Sequence, residues 1–193
     1  MTPQALRAIV GARLRAERRT LIFSCASSAI VGYFATQNLA GPMFFCSTIG
    51  IAIALLQGPG RHAYLDTNER SAPLFGRELA RAKALAPLMS ATIATLVYWI
   101  AQFAGGYAVP PLYVVLTLAC VLAGTLVALN ATTRDGVGRA LALALTVATI
   151  VVAFLLAKSG GTIGAATELV FCAIAGFIAL RQYGESLARY EPL

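Results

Sequence analysis

The stretch "LYVVLTLACVLAGTLVAL", residues 112–129, contains no charged side chain. A helix of roughly 18 residues is about 27 Å long, which is close to the ~30 Å thickness of the hydrocarbon core of a bilayer. The only polar groups in the stretch are small hydroxyls, a thiol and one phenol. This stretch therefore predicts a transmembrane helix.

Five further apolar runs of similar character accompany it along the chain, approximately at residues 20–34, 42–56, 85–104, 137–157 and 163–180. Of all residues, 59% are hydrophobic and only 12% are charged, whereas a soluble domain has roughly 25% charged residues. Gly58-Pro59-Gly60 provides turn chemistry that ends the second run. We therefore predict an all-α, polytopic membrane protein with six transmembrane helices and no separate soluble domain.

The basic residues are distributed unevenly between the two sides of the predicted membrane. Only Lys158 falls on one side. The other 14 of the 15 basic residues precede the first run, separate the second from the third or the fourth from the fifth, or follow the sixth. This asymmetry is typical of the positive-inside rule, so we expect an inner-membrane protein with both termini in the cytoplasm. The basic residues form no patch with interleaved aromatics, so we expect no nucleic-acid partner.

The N-terminal segment, residues 1–19, has the pattern of an amphipathic helix. Its apolar residues recur at a period near 3.6, and most of its arginines fall on the opposite side. The pattern favours an interfacial helix on the inner leaflet of the lipid bilayer. The alternative is a positively charged anchor that only sets the topology.

The predicted cytoplasmic loop at residues 58–84 contains the dense charged stretch "DTNERSAPLFGRELARAK", residues 66–83. Pro73 suits the early turn of a short helix from Ser71 to Phe75, which would present Leu74 and Phe75. Apolar side chains flanked by charges of both signs favour a docking contact for a soluble partner. The alternative is an amphipathic helix that rests on lipid, and charge alone does not decide between the two.

The order of these parts resembles the membrane subunit of type-2 ATP-binding-cassette exporters, in a half-size form with six spans. In that family, the loop between spans two and three carries an acidic-basic pair, a short coupling helix and a basic residue where the third span begins. The matching positions in this sequence are Glu69 and Arg70, the 71–75 helix with Leu74 and Phe75, and Lys83, with Arg77 between them. The resemblance implies that these residues couple the chain to an ATPase.

The resemblance also implies a permease subunit that forms a homodimer, or pairs with a paralogous permease, and binds a separate ATPase subunit. The chain has no G-x-x-x-x-G-K-[ST] phosphate loop. We therefore expect that it is not an enzyme by itself, that it binds no cofactor, and that ATP and Mg²⁺ are held by the partner. Spans lined by apolar and hydroxyl side chains favour a hydrophobic or amphiphilic substrate, and the family suggests export. On this interpretation, residues 1–193 form a single transmembrane domain with spans at 20–57 and 85–182 and a cytoplasmic tail at 183–193.

Two features leave alternatives open. Glu168 is the only acidic residue near the outer half of the spans, so it is a candidate for the exit path. It could equally be a first-turn acid at the water boundary. The segment 158–168 is shorter than the external element usual in the family.

A small substrate-binding subunit of a vitamin-type importer and a non-transporting membrane scaffold are the alternative functions. With His62 as the single histidine, no histidine-based catalytic or metal site is expected.

Overall fold

A computed structural model of the chain describes residues 3–35, 39–57, 76–159 and 161–190. These residues form seven helices and no strand. The helices are α1 (Pro3–Ala16), α2 (Arg18–Phe34), α3 (Ala40–Leu56), α4 (Gly76–Ala104), α5 (Pro111–Thr132), α6 (Gly136–Lys158) and α7 (Gly161–Tyr190). The predicted all-helical architecture is confirmed.

Four of these helices are long and apolar enough to cross a membrane: α4 from Arg81 onward, α5, α6, and α7 up to Leu187. Helices α2 and α3 have 17 residues each, which at 1.5 Å per residue gives about 26 Å. Helix α3 is apolar throughout, and α2 begins with Arg18 and Arg19. The described part of the chain is therefore consistent with a helical membrane protein in which four helices are long and apolar enough to cross the membrane.

Helix α5 is the central element of the bundle and packs against α3, α4, α6 and α7. Its residues contribute to all three hydrophobic clusters of the core. Small side chains dominate these clusters: Ala54, Ala84 and Ala128 in one, and Ala123 and Ala153 in another. Small residues allow helix backbones to approach closely where no hydrophobic effect drives helices together, as inside a membrane.

Glycines mark the closest helix contacts. A Cβ at Gly32 of α2 would collide with the backbone of Tyr98 in α4. Similarly, a Cβ at Gly164 of α7 would lie 2.6 Å from the carbonyl oxygen of Leu156 in α6. Helices α2 and α4, and helices α6 and α7, therefore approach each other more closely than any larger side chain would allow at these positions.

Two boundaries differ from the sequence prediction. Residues 183–193 were expected to form a tail, but α7 continues to Tyr190. Tyr183 and Leu187 are buried with Ala54 and Leu129 in one core cluster, so packing against the bundle extends the helix. Helix α4 begins at Gly76, within the predicted loop at 58–84, and continues unbroken through Pro87 into the third apolar run.

The predicted interfacial segment contains α1, which packs mainly against α4. Ile9, Val10, Arg13 and Glu17, on the flank predicted to be apolar, are all buried. The arginines on the opposite side, including Arg7 and Arg15, are exposed. This flank of α1 is therefore covered by protein to a greater extent than an isolated interfacial helix would be.

Candidate functional site

The residues that the family resemblance assigns to coupling are described only in part. Glu69, Arg70, Leu74 and Phe75 lie outside the described residues. Arg77 lies in the first turn of α4, and its side chain also lies outside the described part. Their role in docking therefore stays a prediction.

Lys83 occupies a different environment from the one expected of a docking residue. It lies two turns into α4 with only 4% of its surface exposed, on a helix against which α1 packs. Glu17, at the junction of α1 and α2, is also buried and accepts a hydrogen bond from the hydroxyl of Thr20 at 2.9 Å. Buried charges are rare unless they are paired. We conclude that Lys83 and Glu17 make their contacts inside the protein and do not belong to a surface that binds a partner.

A second group of residues converges at the opposite end of the bundle, which we call the Lys158 end. Helices α3, α5 and α7 begin there, and α6 ends there at Lys158. Between them lies a cavity of about 630 Å³. Its lining is mainly apolar, with Leu39, Leu112, Leu116 and Phe154 among the contributing side chains. A cavity of this size and composition is within the range of small-molecule sites.

Glu168 lies one turn further into α7 than Ala165, which lines this cavity. Its side chain is completely buried. The thiol of Cys172 donates to its Oε1 atom across 3.7 Å, and Oε2 has no hydrogen-bond partner among the described residues. Because α7 begins at Gly161, Glu168 is not a first-turn acid at the water boundary. It is a carboxyl group enclosed by the helix bundle.

Other buried polar groups connect α3, α5 and α7. The amide nitrogen of Asn130 in α5 donates to the carbonyl oxygen of Ala179 in α7 at 3.1 Å. Ser47 of α3 and Cys120 of α5 form a hydroxyl–thiol contact of 3.6 Å. The hydroxyl of Thr117 is buried without a hydrogen-bond partner in the described part of the chain. Thr117 is one of seven buried side chains in the described part of the chain with a polar atom that has no hydrogen-bond partner, the others being Ser28, Gln57, Trp99, Gln102, Asn130 and Glu168.

The described side chains give no support for metal or redox chemistry. No group of three or more His, Cys, Asp or Glu residues that could hold a metal ion occurs in the described ranges. All four cysteines are free, and Cys46, Cys120 and Cys172 are buried in the core clusters. Free cysteines buried in this way pack as small hydrophobic side chains.

A smaller cavity of about 340 Å³ lies at the arginine-rich end between α4 and α7. Arg81, Arg181 and the apolar residues Phe177 and Leu180 line it. Arg181 is exposed and also forms an ion pair with Glu185 at 3.0 Å, one turn along the same helix. These arginines therefore border a site that is open to the surroundings, as the larger cavity at the Lys158 end also is.

Comparison with known proteins gives no relative: no family model, no curated protein and no solved structure matches the chain.

The cavity at the Lys158 end was not predicted from the sequence. Lys158 served to assign topology, and Glu168 was considered either as a candidate for the exit path or as a first-turn acid at the water boundary. The signal that could have found the cavity is the alternation of helix direction, which brings the starts of α3, α5 and α7 and the end of α6 to one side. Alternation gives the side of the membrane but not which helices are neighbours, so the sequence alone could not join these ends into one site.

Proposed function

We propose that this chain is the membrane-spanning permease subunit of an ATP-binding-cassette transporter, with six spans and with both termini in the cytoplasm. The observation that carries the proposal is the continuity of α4. This helix starts at Gly76, directly after the 71–75 segment that resembles a coupling helix, and extends unbroken to Ala104. Movement of a docked segment would therefore be passed directly into the helix bundle.

The contacts of α4 support this mechanism. The helix packs against α1, α2, α3, α5 and α7. Tyr98 of α4 contacts Gly32 of α2 through the backbone, and Ser90 lies within 3.4 Å of the Gln57 amide of α3. A displacement of α4 would thus be transmitted to most of the bundle. The chain supplies the path across the membrane, and a separate subunit binds ATP and Mg²⁺ and hydrolyses ATP.

The interior of the bundle favours an apolar or amphiphilic substrate. Its clusters consist of alanine, leucine, cysteine, methionine and aromatic side chains. Glu168 is the one carboxylate completely enclosed in the described part of the bundle. A strongly charged solute would find little compensation for its desolvation on such a path. We propose export of a hydrophobic or amphiphilic molecule by a dimer of this subunit.

The docking residues proposed for the partner are limited to Glu69, Arg70, Leu74, Phe75 and Arg77, because Lys83 is buried. The test is co-purification in detergent with the ATP-binding-cassette ATPase encoded nearest to the gene of this protein. We compare the wild type with Phe75→Asp. Val137→Asp is the matched control, because Val137 is an apolar residue exposed to 87% in the first turn of α6 and lies outside residues 58–84 in the sequence.

We expect the wild type and Val137→Asp to retain the ATPase and Phe75→Asp to lose at least about nine tenths of it, since burying an unpaired charge in an interface costs several kcal/mol. Equal retention by all three proteins would place the docking contact elsewhere. Failure of the wild type to retain any ATPase would contradict the transporter proposal.

A further inference from the structure

The cavity at the Lys158 end combines an apolar lining with a polar edge. Leu112 and Leu116 of α5 and Phe154 of α6 supply apolar surface, while Lys158 and Thr162 lie on the side where the helices end. Lys158 and Thr162 are both exposed. An apolar interior next to a cationic edge is the arrangement that an amphiphilic molecule with an anionic head group requires.

The backbone adds positive potential at the same place. Three helices, α3, α5 and α7, present their N-terminal ends to the cavity. The residues before α3 and α5, Leu39 and Pro110, make no side-chain capping hydrogen bond. The first amide groups of a helix have no partner within it and carry partial positive charge. Pro42 and Pro111 have no N–H to offer in the first turns of α3 and α5, and the Tyr113 amide already donates to the carbonyl oxygen of Pro110 at 2.9 Å, so these two ends favour a negative group through the helix dipole.

Helix α6 is the one helix that ends at the cavity, and its dipole places partial negative charge there. Two features reduce that negative charge. The carbonyl oxygens of Leu155 and Leu156 in α6 accept hydrogen bonds from the Ser159 amide at 2.9 and 3.2 Å. The Ser159 hydroxyl donates a further bond to Leu156 at 2.8 Å. In addition, Lys158 itself lies in this last turn. Two carbonyl groups in the last turn of α6 therefore have hydrogen-bond donors, and the side chain of Lys158 carries a charge opposite to that of this helix end.

No acidic side chain lines the cavity in the described part of the chain. Glu168 is completely buried one turn below Ala165, and the thiol of Cys172 donates to its Oε1 atom. Glu168 is therefore separated from the cavity surface, whereas Lys158 lies on it. The charge exposed to a ligand is positive.

We propose that this cavity binds an amphiphile with a single anionic head group, such as a carboxylate, beside Lys158, and that its alkyl chain lies against Leu112, Leu116 and Phe154. This site would give the proposed transporter a class of substrate. The interpretation of the cavity as a substrate site rests on the proposed function. Binding itself requires no ATPase and is measured on this chain alone.

The experiment uses the purified protein in nanodiscs of zwitterionic phosphatidylcholine with a photoactivatable fatty acid that carries a diazirine on its chain. Cross-linked peptides are identified by mass spectrometry, and laurate, dodecanol and dodecyltrimethylammonium serve as competitors. We expect saturable labelling of α5 and α6 residues that line the cavity. Laurate should compete at the lowest concentration, and dodecyltrimethylammonium should compete at a concentration at least tenfold higher.

Four variants separate charge from shape. Lys158→Gln should raise the laurate midpoint about tenfold by removing a charge-assisted contact, with little effect on dodecanol, and Lys158→Arg should restore it. Ala157→Trp, which fills the cavity, should abolish saturable labelling. Arg139→Gln, an exposed cation at the opposite end of α6, is the matched control and should leave every midpoint unchanged.

Three results would overturn the proposal: labelling that is not saturable or maps elsewhere, a laurate midpoint unchanged in Lys158→Gln, or equal competition by the cationic amphiphile. These outcomes are independent of ATPase retention. Binding without retention would leave an amphiphile-binding membrane protein of another class. Retention without binding would leave a transporter with a different substrate.

Discussion

Glu168 is the residue whose surroundings are least favourable for its chemistry. Its side chain is fully buried, and its Oε2 atom has no hydrogen-bond partner among the described residues. Leaving a buried polar group unsatisfied costs about 1–3 kcal/mol. We therefore expect Glu168→Met, which keeps a similar length without the carboxyl group, to raise the thermal stability of the detergent-solubilised protein.

The control for this prediction is Glu185→Met in the same helix. Glu185 is partly exposed and pairs with Arg181 at 3.0 Å, and an exposed ion pair contributes about 0–1 kcal/mol. Its removal should change the melting temperature little. If Glu168→Met lowers the melting temperature, the carboxyl group has a stabilising partner. The prediction that burial of this carboxyl group destabilises the protein would then be wrong. A stabilised variant that also loses transport would support a role of Glu168 in the path.

At the scale of single residues, the sequence identified unusual side chains but not their surroundings. Glu168 was recognised as the one acidic residue near the outer half of the spans, and its complete burial was not predicted. Lys83 was assigned to coupling as the basic residue where the third span begins, and its burial was not predicted. In both cases, helical periodicity gives the side of the helix on which the residue lies. Which neighbouring helix covers that side depends on the tertiary arrangement.

Among the helices, α6 has the clearest division between a buried and an exposed side. Ala142, Thr146, Ile150 and Ala153 are buried at helical spacing, whereas Leu141, Leu145 and Leu155 are more than half exposed. In a membrane, the exposed side contacts lipid. We expect Leu145→Phe to be tolerated, because lipid chains accommodate the larger ring.

The matched variant on the buried side is Ala153→Phe. Ala153 is completely buried and shares a cluster with Met43, Cys120 and Cys172. Overpacking a filled core costs about 1–3 kcal/mol, and sometimes more. The yield of monodisperse protein in fluorescence-detected size-exclusion chromatography should therefore fall sharply for Ala153→Phe only. A fall for Leu145→Phe instead would show that this side of α6 is an interface with another protein chain.

The ends of the helices were predicted less well than their existence, and α7 illustrates the reason. Leu180, Tyr183 and Leu187 recur at spacings of three and four residues, which is a helical pattern. However, the surrounding residues are polar enough to end an apolar run near 180. Tyr183 and Leu187 pack against Ala54 and Leu129 from other helices. The helix thus continues because of a tertiary contact that hydropathy alone does not register.

For the molecule as a whole, composition indicated a membrane protein and the lengths of the apolar runs predicted most of the helices, while the neighbour relations came only from the structure. The central position of α5 follows from its packing against α3, α4, α6 and α7. The apolar run of α5 at residues 112–129 is no more hydrophobic than that of α6. Nevertheless, α6 lies at the edge of the helix bundle and has several exposed leucines. In lipid, an apolar surface needs no cover, so hydrophobicity does not distinguish a central helix from a peripheral one.

The orientation of the molecule gives the last prediction. If six helices cross the membrane, Lys158 faces the outside, while Arg7 and Arg139 face the cytoplasm. All three residues are exposed, so Lys158→Cys, Arg7→Cys and Arg139→Cys should each be accessible to a thiol reagent in a background in which the four native cysteines are replaced by alanine. We expect a membrane-impermeant maleimide to label only Lys158→Cys in intact cells, and all three after permeabilisation. Labelling of Arg7→Cys together with Lys158→Cys in intact cells would mean that an even number of helices cross between these two sites, so that one of the five proposed spans does not cross. In that case α2 or α3 would be the first helix to reassign, because these two, with 17 residues each, are the shortest of the proposed spans.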